Sequence, residues 1–253
     1  MKIQFNDYYQ QVWGDRWTQL ETALRGESVY YELKGLLLKS YFLDEASNWA
    51  AEALAIEGHE RILDMCAAPG GKCLALATRL KKEGRIVAND RSPARVHRLR
   101  QVLDTHLPTE LRTQVEVTQG DAAARCRIEK SCYDKILLDA PCSSERHVIQ
   151  SELHLGQWSP ARTRHLAQNA YALLCSALIM IKPGGIVFYI TCSLSPLEND
   201  GVIDRIFHKK KHCVENLRVE LPLSEQTKWG RQILPDRAGG RGPIYISCLR
   251  RVV

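Results

Sequence analysis

Cys142 follows Asp139-Ala140-Pro141 and precedes Ser143, and Cys192 sits within Thr191-Cys192-Ser193. A thiolate is a strong nucleophile, and a carboxylic acid close to it can hold or supply the proton that such an attack displaces. A single cysteine is more often a small buried residue than a reagent. These two carry more weight because each follows an apolar run that reads as a strand, Asp134–Leu138 and Ile186–Thr191. Neighbouring parallel strands lie roughly 5 Å apart, so both thiols can face one substrate.

A second group of residues suits a nucleoside. Gly70 and Gly71 follow the apolar run Arg61–Cys66 and let the backbone turn sharply and approach a ligand closely. Asp90 closes the next run 20 residues after Gly70, where an acid can accept from both ribose hydroxyls. Asp121 follows a third run and faces the place of an adenine amine. The G-x-G-x-x-G pattern of a dinucleotide site is absent, and Lys72 is the only cation in the loop. Acids around the site suit a positively charged sulfonium better than a pyrophosphate.

The elements that position these residues alternate. The predicted strands are Arg61–Cys66, Arg85–Asn89, Gln114–Thr118, Asp134–Leu138 and Ile186–Thr191, then Cys213–Leu221 and Ile244–Leu249. Helices are expected over Lys72–Lys82, Pro93–Thr105, Pro160–Ile181 and Leu197–His208, the long one stopped by Pro183-Gly184-Gly185. Such alternation predicts an α/β fold of the Rossmann-like type: a mostly parallel seven-stranded sheet, helices on both faces, and an antiparallel edge strand where two strands close the chain in succession. Ligands of these sheets lie beyond the strand carboxyl ends, where both groups of residues stand. Asn6 to about Leu38 reads as helical, because Trp13, Trp17, Leu20 and Leu24 recur at spacings of three and four. The expected organisation is a helical extension over residues 1–58 packed on a catalytic core over 59–253.

Composition bounds the class. Apolar residues make up 45% and charged residues 25% of the 253, as in a globular protein. Lys and Arg number 35 against 29 Asp and Glu, a net charge of +6 that permits a polyanionic partner without demanding one. The nine cysteines form no C-x-x-C pair and the histidines show no ligand spacing, so no metal site is expected. The first residues do not read as a signal peptide, and the longest apolar run, Ala172–Ile181, is too short to span a bilayer. The expectation is a reducing, cytoplasmic compartment, free thiols and no membrane partner.

Asp-Ala-Pro-Cys-Ser narrows the chemistry. C5 of a cytosine is too weak a nucleophile to take a methyl group unaided. A thiolate adding to C6 makes C5 enamine-like, an acid near N3 stabilises the adduct, and a base then removes the C5 proton. Met65-Cys66-Ala67-Ala68-Pro69-Gly70-Gly71-Lys72, Asp139-Ala140-Pro141-Cys142-Ser143 and Thr191-Cys192-Ser193-Leu194-Ser195 resemble the motifs of the RsmB/RsmF/NSUN family of RNA 5-methylcytosine methyltransferases. Tyr41 to Ser47 resembles the segment before the first motif. Phe5…Tyr9…Trp13-Gly14-Asp15…Trp17 and Ile233-Leu234-Pro235…Gly242-Pro243-Ile244-Tyr245 resemble the two ends of the short mitochondrial-type NSUN rRNA branch.

The resemblance implies a class I methyltransferase fold, S-adenosylmethionine as cofactor and RNA as substrate, rRNA first and tRNA second. It implies Cys192 as the nucleophile, Cys142 as the residue that helps product release, and Asp139 and Lys72 beside the base. The cofactor falls to Cys66, Ala67, Ala68, Pro69, Gly70, Gly71 and Lys72, to Asp90 with Arg95, and to Asp121 and Asp139. The loop Ser144-Glu145-Arg146-His147 replaces the glycine-rich loop of many members.

A DNA cytosine methyltransferase, in which Cys142 would attack, leaves Thr191-Cys192-Ser193 without a purpose. A non-catalytic ribosome-assembly factor would not need both cysteines and Asp139. The basic clusters, Arg91 to Arg100, Lys209–Lys211 and Arg237 to Arg251, read first as solvated surface. No separate RNA-binding module is visible. Specificity is therefore expected from folded RNA, from an assembling ribosomal subunit, or from a separate RNA-binding protein.

Overall fold

The computed structural model describes residues 4–210 and 212–253. Met1 to Ile3, and Lys211 of the basic triplet, lie outside the described residues. The chain opens with α1 (Phe5–Trp13), a 3-10 turn (Gly14–Arg16) and α2 (Trp17–Arg25). A hairpin of β1 (Tyr30–Leu33) and β2 (Tyr41–Asp44) leads into α3 (Glu45–Ala53). Then come β3 (Arg61–Asp64), α4 (Gly71–Ala77), β4 (Arg85–Asp90), α5 (Pro93–His106), α6 (Thr109–Arg112), β5 (Val115–Gln119), α7 (Ala122–Arg125) and β6 (Tyr133–Asp139). The rest is α8 (Glu145–Ile149), α9 (Glu152–Gln157), α10 (Pro160–Met180), β7 (Ile181–Thr191), α11 (Asp200–Lys210), β8 (Val214–Leu217), β9 (Ser224–Gln226), β10 (Arg231–Ile233) and β11 (Ile244–Arg251).

The main sheet runs β5-β4-β3-β6-β7-β11-β10-β9, with β8 also on β11. The first five are parallel to one another, and β11 returns antiparallel to β7. The Rossmann-like class stands as expected; β9 and β10, each three residues, bring the strands to nine. Strands covered on both faces read as continuous apolar runs. Accordingly Ile62, Leu63, Ile136, Leu137 and Leu138 are all fully buried. One face packs on α3 to α5 through Ala46, Leu74 and Leu99, the other on α10 and α11 through Leu174, Ala177 and Ile203.

Two expectations need correction. The helical reading of Asn6 to Leu38 runs too far: helix ends at Arg25, Gly26 follows, and Tyr30–Leu33 pairs antiparallel with Tyr41–Asp44. Paired tyrosines favour a strand, and the Trp and Leu spacing that signals helix stops at Leu24. Within the true helices Trp17, Leu20 and Leu24 are buried, joining Phe5, Tyr9, Trp158, Val148 and Leu194 in a separate aromatic core. Pro183-Gly184-Gly185 is not simply a helix stop either. Ile181 already pairs with Tyr133, pairing resumes at Ile186 with Lys135, and the segment between is a bulge. Gly185 suits it, since a Cβ there would come within 2.9 Å of the Asp134 carbonyl.

Candidate active site

The carboxyl ends of β3, β4, β6 and β7 converge on one edge of the sheet. After β3 the chain leaves the sheet at Asp64 and Met65, passes Cys66 to Pro69, and enters α4 at Gly71. Gly70 has φ +122° and packs against Val102 and Leu99 of α5, so a side chain there would be strained and would crowd α5. This loop lines a pocket of about 300 Å³ with Lys72, Asp139, Asp64, Asp44 and the hairpin residues Tyr30, Tyr41 and Phe42. A second pocket, about 230 Å³, lies beyond it, lined by Met65, Cys66, Asn89, Asp121, Pro141 and Leu173. Cys66 lines both.

The expected cofactor residues distribute over this region. Cys66, Ala67, Ala68, Pro69, Gly71, Lys72 and Asp139 line the first pocket, and Asp121 the second. The Asp121 carboxylate also caps α7, accepting from the Ala123 amide at 3.0 Å. Asp90 lies outside both lining sets: its side chain accepts from the Ser92 amide at 3.0 Å and faces Arg95 Nε at 3.3 Å. Arg95 also donates to the Ala68 carbonyl and so bridges the β4 end to the first loop.

Asp64 escaped the sequence reading because it looks like the last residue of an apolar strand. It is 1% exposed, and neither carboxylate oxygen receives a well-formed hydrogen bond from the protein. Burial, then the nearby Asp139 carboxylate, push it up to about 8. A buried acid facing a pocket with no more than a weak approach from the Cys66 amide calls for a cationic or N–H group from a ligand. The only signal in the sequence was an acid inside a buried run. Burial, and then the surrounding acids, likewise push the Cys66 thiol up, so it stays protonated.

Lys72 Nζ donates to Asp139 Oδ2 at 2.8 Å. Burial alone would lower the lysine, but the Asp139 carboxylate holds the ammonium above its ordinary value. Past Asp139 the loops after β6 and β7 run side by side, tied by the Ala140 amide to the Ile190 carbonyl at 2.9 Å. Their thiols meet, with Cys142 Sγ and Cys192 Sγ 3.2 Å apart and Ser144 Oγ 3.1 Å from Cys192 Sγ. A hydrogen bond from Cys142, helped by Ser144 and Lys72, draws Cys192 below the usual thiol range. The same bond to Cys192, and then burial, raise Cys142. Of the two thiols, Cys192 is thus the one more readily ionised. All four expected reacting residues stand together at the strand ends; of the described residues in the basic clusters, only Arg91 lines one of the two pockets, the second.

Residues 51–250 match the model of a family described as 16S rRNA methyltransferase RsmB/F. The NSUN4 5-cytosine rRNA methyltransferase of Xenopus laevis is 39% identical, over 85% of this chain and 57% of its own length. The mitochondrial tRNA (cytosine(34)-C(5))-methyltransferase of Danio rerio is 32% identical, over 86% of this chain and 62% of its own. The chain thus spans about three fifths of the length of these curated relatives. The solved NSun6 from Pyrococcus horikoshii superposes with a TM-score of 0.71 at 25% identity, covering 84% of this chain and 54% of that one. A methyltransferase homolog from the same organism shares the fold at TM-score 0.74 and 23% identity, covering 96% and 93% of the two chains.

Proposed function

Since the chain belongs to the RsmB/F methyltransferase family, we propose that it methylates C5 of a cytosine in RNA through a covalent bond between Cys192 and C6. The observation that carries this reading is the meeting of two thiols, 3.2 Å apart, beside an Asp139–Lys72 pair at the mouth of a nucleoside-sized pocket. S-adenosylmethionine, when bound, supplies the electrophilic methyl group. Asp64 would partner its amino group, the loop Cys66–Gly71 would line its place, and Asp121 would take the adenine edge. Asp90 takes the ribose once Arg95 yields, because its carboxylate already lies at the end of β4.

The chain's own part follows from the placement of its two thiols and of the Asp139–Lys72 pair. Cys192 as thiolate adds to C6, and the ring electrons move toward C5. Asp139, fixed by Lys72, accepts from the exocyclic amine beside N3 and keeps the flipped base in register. After methyl transfer a base takes the C5 proton, the C5–C6 double bond re-forms, and the Cys192–C6 bond breaks. Cys142 assists that release. Labelled methyl transfer to RNA by the wild-type chain, lost in Cys192→Ala, is the direct test. Full transfer by folded Cys192→Ala would overturn the assignment.

The proposed substrate is rRNA, supported by the NSUN4 relative; the Danio rerio relative favours tRNA as the second reading. Bisulfite mapping of 5-methylcytosine with and without the gene separates them. With a net charge of +6, we expect weak, salt-sensitive binding to short RNA. An assembling ribosomal subunit or a separate RNA-binding protein would then supply specificity. Tight, sequence-specific gel shifts on a naked hairpin at physiological salt would refute that. Nine free cysteines, two of them reactive, support a reducing, cytoplasmic compartment.

A further inference from the structure

Directly behind the two cysteine loops lie two carboxyl groups that the proposed chemistry does not use. Glu145, the first residue of α8, is 0% exposed, and Glu198, in the loop between β7 and α11, is 1% exposed. Each holds backbone from the opposite loop. Glu198 accepts from the Ser143 amide at 2.9 Å, next to Cys142, and Glu145 from the Leu194 amide at 2.9 Å, two residues past Cys192. Ser143 Oγ lies within bonding distance of both carboxyls, and so does Ser193 Oγ, at 3.1 Å from each. The two serine hydroxyls are 3.0 Å apart, and the Tyr9 hydroxyl of α1 donates to Glu145.

Hydrogens are the scarce element in this cluster. Tyr9, Ser143 and Ser193 bring one hydroxyl hydrogen each, and each can donate in one direction only. With both acids ionised, two negative charges would sit together out of water, with carboxylate oxygens facing lone pairs across Ser143 and Ser193. One further proton on Glu198 turns that group into a donor to Ser143, and the three shortest contacts, Tyr9–Glu145, Ser143–Glu145 and Ser143–Glu198, then each hold a hydrogen, with the Ser193 hydrogen left for one carboxyl.

We infer that Glu145 and Glu198 are positioning residues: a buried carboxyl pair that shares one proton and pins the Cys142 and Cys192 loops at their working separation. Glu198 carries the proton. Burial, then the Glu145 charge, push it up to about 7, against the opposing bonds from Ser143 and Ser193. The titratable groups facing it are all acids: Glu145 from α8, Tyr9 from α1, Tyr189 from β7 and Cys142 from the neighbouring loop. Asn199 extends the tie, accepting from Thr191 Oγ1 at 2.5 Å and donating to the Ser193 carbonyl at 2.9 Å. The catalytic meaning of the pair rests on the RNA methylation reading, but its mechanical role does not.

The separation of the loops can be read without RNA. Diamide oxidises two adjacent thiols to a disulfide, its azo bond taking up the two electrons and two protons. The rate of Cys142–Cys192 cross-linking in the full chain, followed by mass spectrometry of digests, is then a ruler. Glu198→Ala is expected to slow it by about tenfold, the loss of bonds from two loop groups. Glu198→Gln keeps a neutral hydrogen-bonding group and should restore the rate to within about twofold. The ratio of the Gln variant to wild type should stay near one at about pH 6 and rise by about pH 8, as the wild-type pair loses its proton. Should Glu198→Ala fail to fold, Tyr9→Phe decides. It deletes one donor to Glu145, so the shared proton is kept to higher pH and the rise measured against Tyr9→Phe moves upward. Wild-type cross-linking by folded Glu198→Ala, a ratio flat with pH, or an unmoved rise with Tyr9→Phe would each overturn the inference. None of these results depends on methyl transfer, so failure here and failure of the RNA reading are told apart.

Discussion

Cys142 and Cys192 stand on loops braced from behind by Glu145, Glu198 and Asn199, all nearly or fully buried. Lys72, Asp64 and Asp139 instead face a pocket whose outer wall is the β1–β2 hairpin, where Tyr30 is 64% and Phe42 62% exposed. In the proposed reaction the braced half makes and breaks a bond to the base, which demands fixed geometry. The open half must admit one cofactor and discharge another, which demands a wall that can move. A dense network of hydrogen bonds within the protein ties the first region together, and Asp64 leaves a bonding need in the second.

The largest effect should come from the braced half. Cys192→Ala is expected to lower methyl transfer by about 10⁴-fold or more and to leave no covalent RNA complex on a denaturing gel. Cys142→Ala should still attack and methylate, then accumulate as a denaturation-resistant complex. A trapped complex with Cys192→Ala and none with Cys142→Ala would reverse the roles. In the open half, Asp64→Asn and Asp90→Ala should each weaken S-adenosylmethionine binding by about tenfold, the worth of one or two bonds to a charged group. Calorimetry measures this, and thiol cross-linking should not change. Unaltered affinity in a folded variant would remove that residue from the cofactor site.

A smaller effect distinguishes the halves by pH. Glu198 titrates near 4.5 when unfolded and about 7 when folded. The folded state therefore binds the extra proton, and stability falls as pH rises through that window and levels above it. The upper bound is about 3 kcal/mol, from 1.36 kcal/mol per unit. Denaturant midpoints of Glu198→Gln should thus decline less than wild type between about pH 5 and about pH 7. Equal declines would show that Glu198 is not the proton carrier. The smallest effect belongs to the hairpin: Tyr30→Ala and Phe42→Ala should change stability by less than about 0.5 kcal/mol. They should raise KM while leaving kcat in place, and a fall in kcat alone would mean that the hairpin is part of the braced half.

What the sequence reveals follows the same division. Strands β3, β4, β6 and β7 are legible because burial on both faces writes them as apolar runs, and the residues just past them then have to be the site. The hairpin is hidden because Tyr30 to Asp44 shows neither strict alternation nor a helical stripe, and its pairing is a tertiary fact. The bulge in β7 is hidden because Pro-Gly-Gly also ends helices. Glu145 and Glu198 are 53 residues apart in the chain and meet only when β6 lies beside β7. Nothing local marks them as partners, and an acid in a loop reads as solvated until burial is known. Asp64 is the converse: its neighbours were read correctly, and the strand they form concealed the acid.

The hydroxyl of Tyr9 reaches Glu145 from the first helix of the chain, outside the stretch over which the family model matches. A fragment cut at residue 51 would keep the main-sheet residues of both pockets, both cysteines and the three motifs around Gly70, Cys142 and Cys192. It would lose the strut that holds one carboxyl of the brace, along with the aromatic packing of Phe5, Trp17 and Trp158 around it. The stretch that the family model matches and the stretch that bears mechanical load are thus different lengths of the same chain. Truncation boundaries for expression are better drawn by the second.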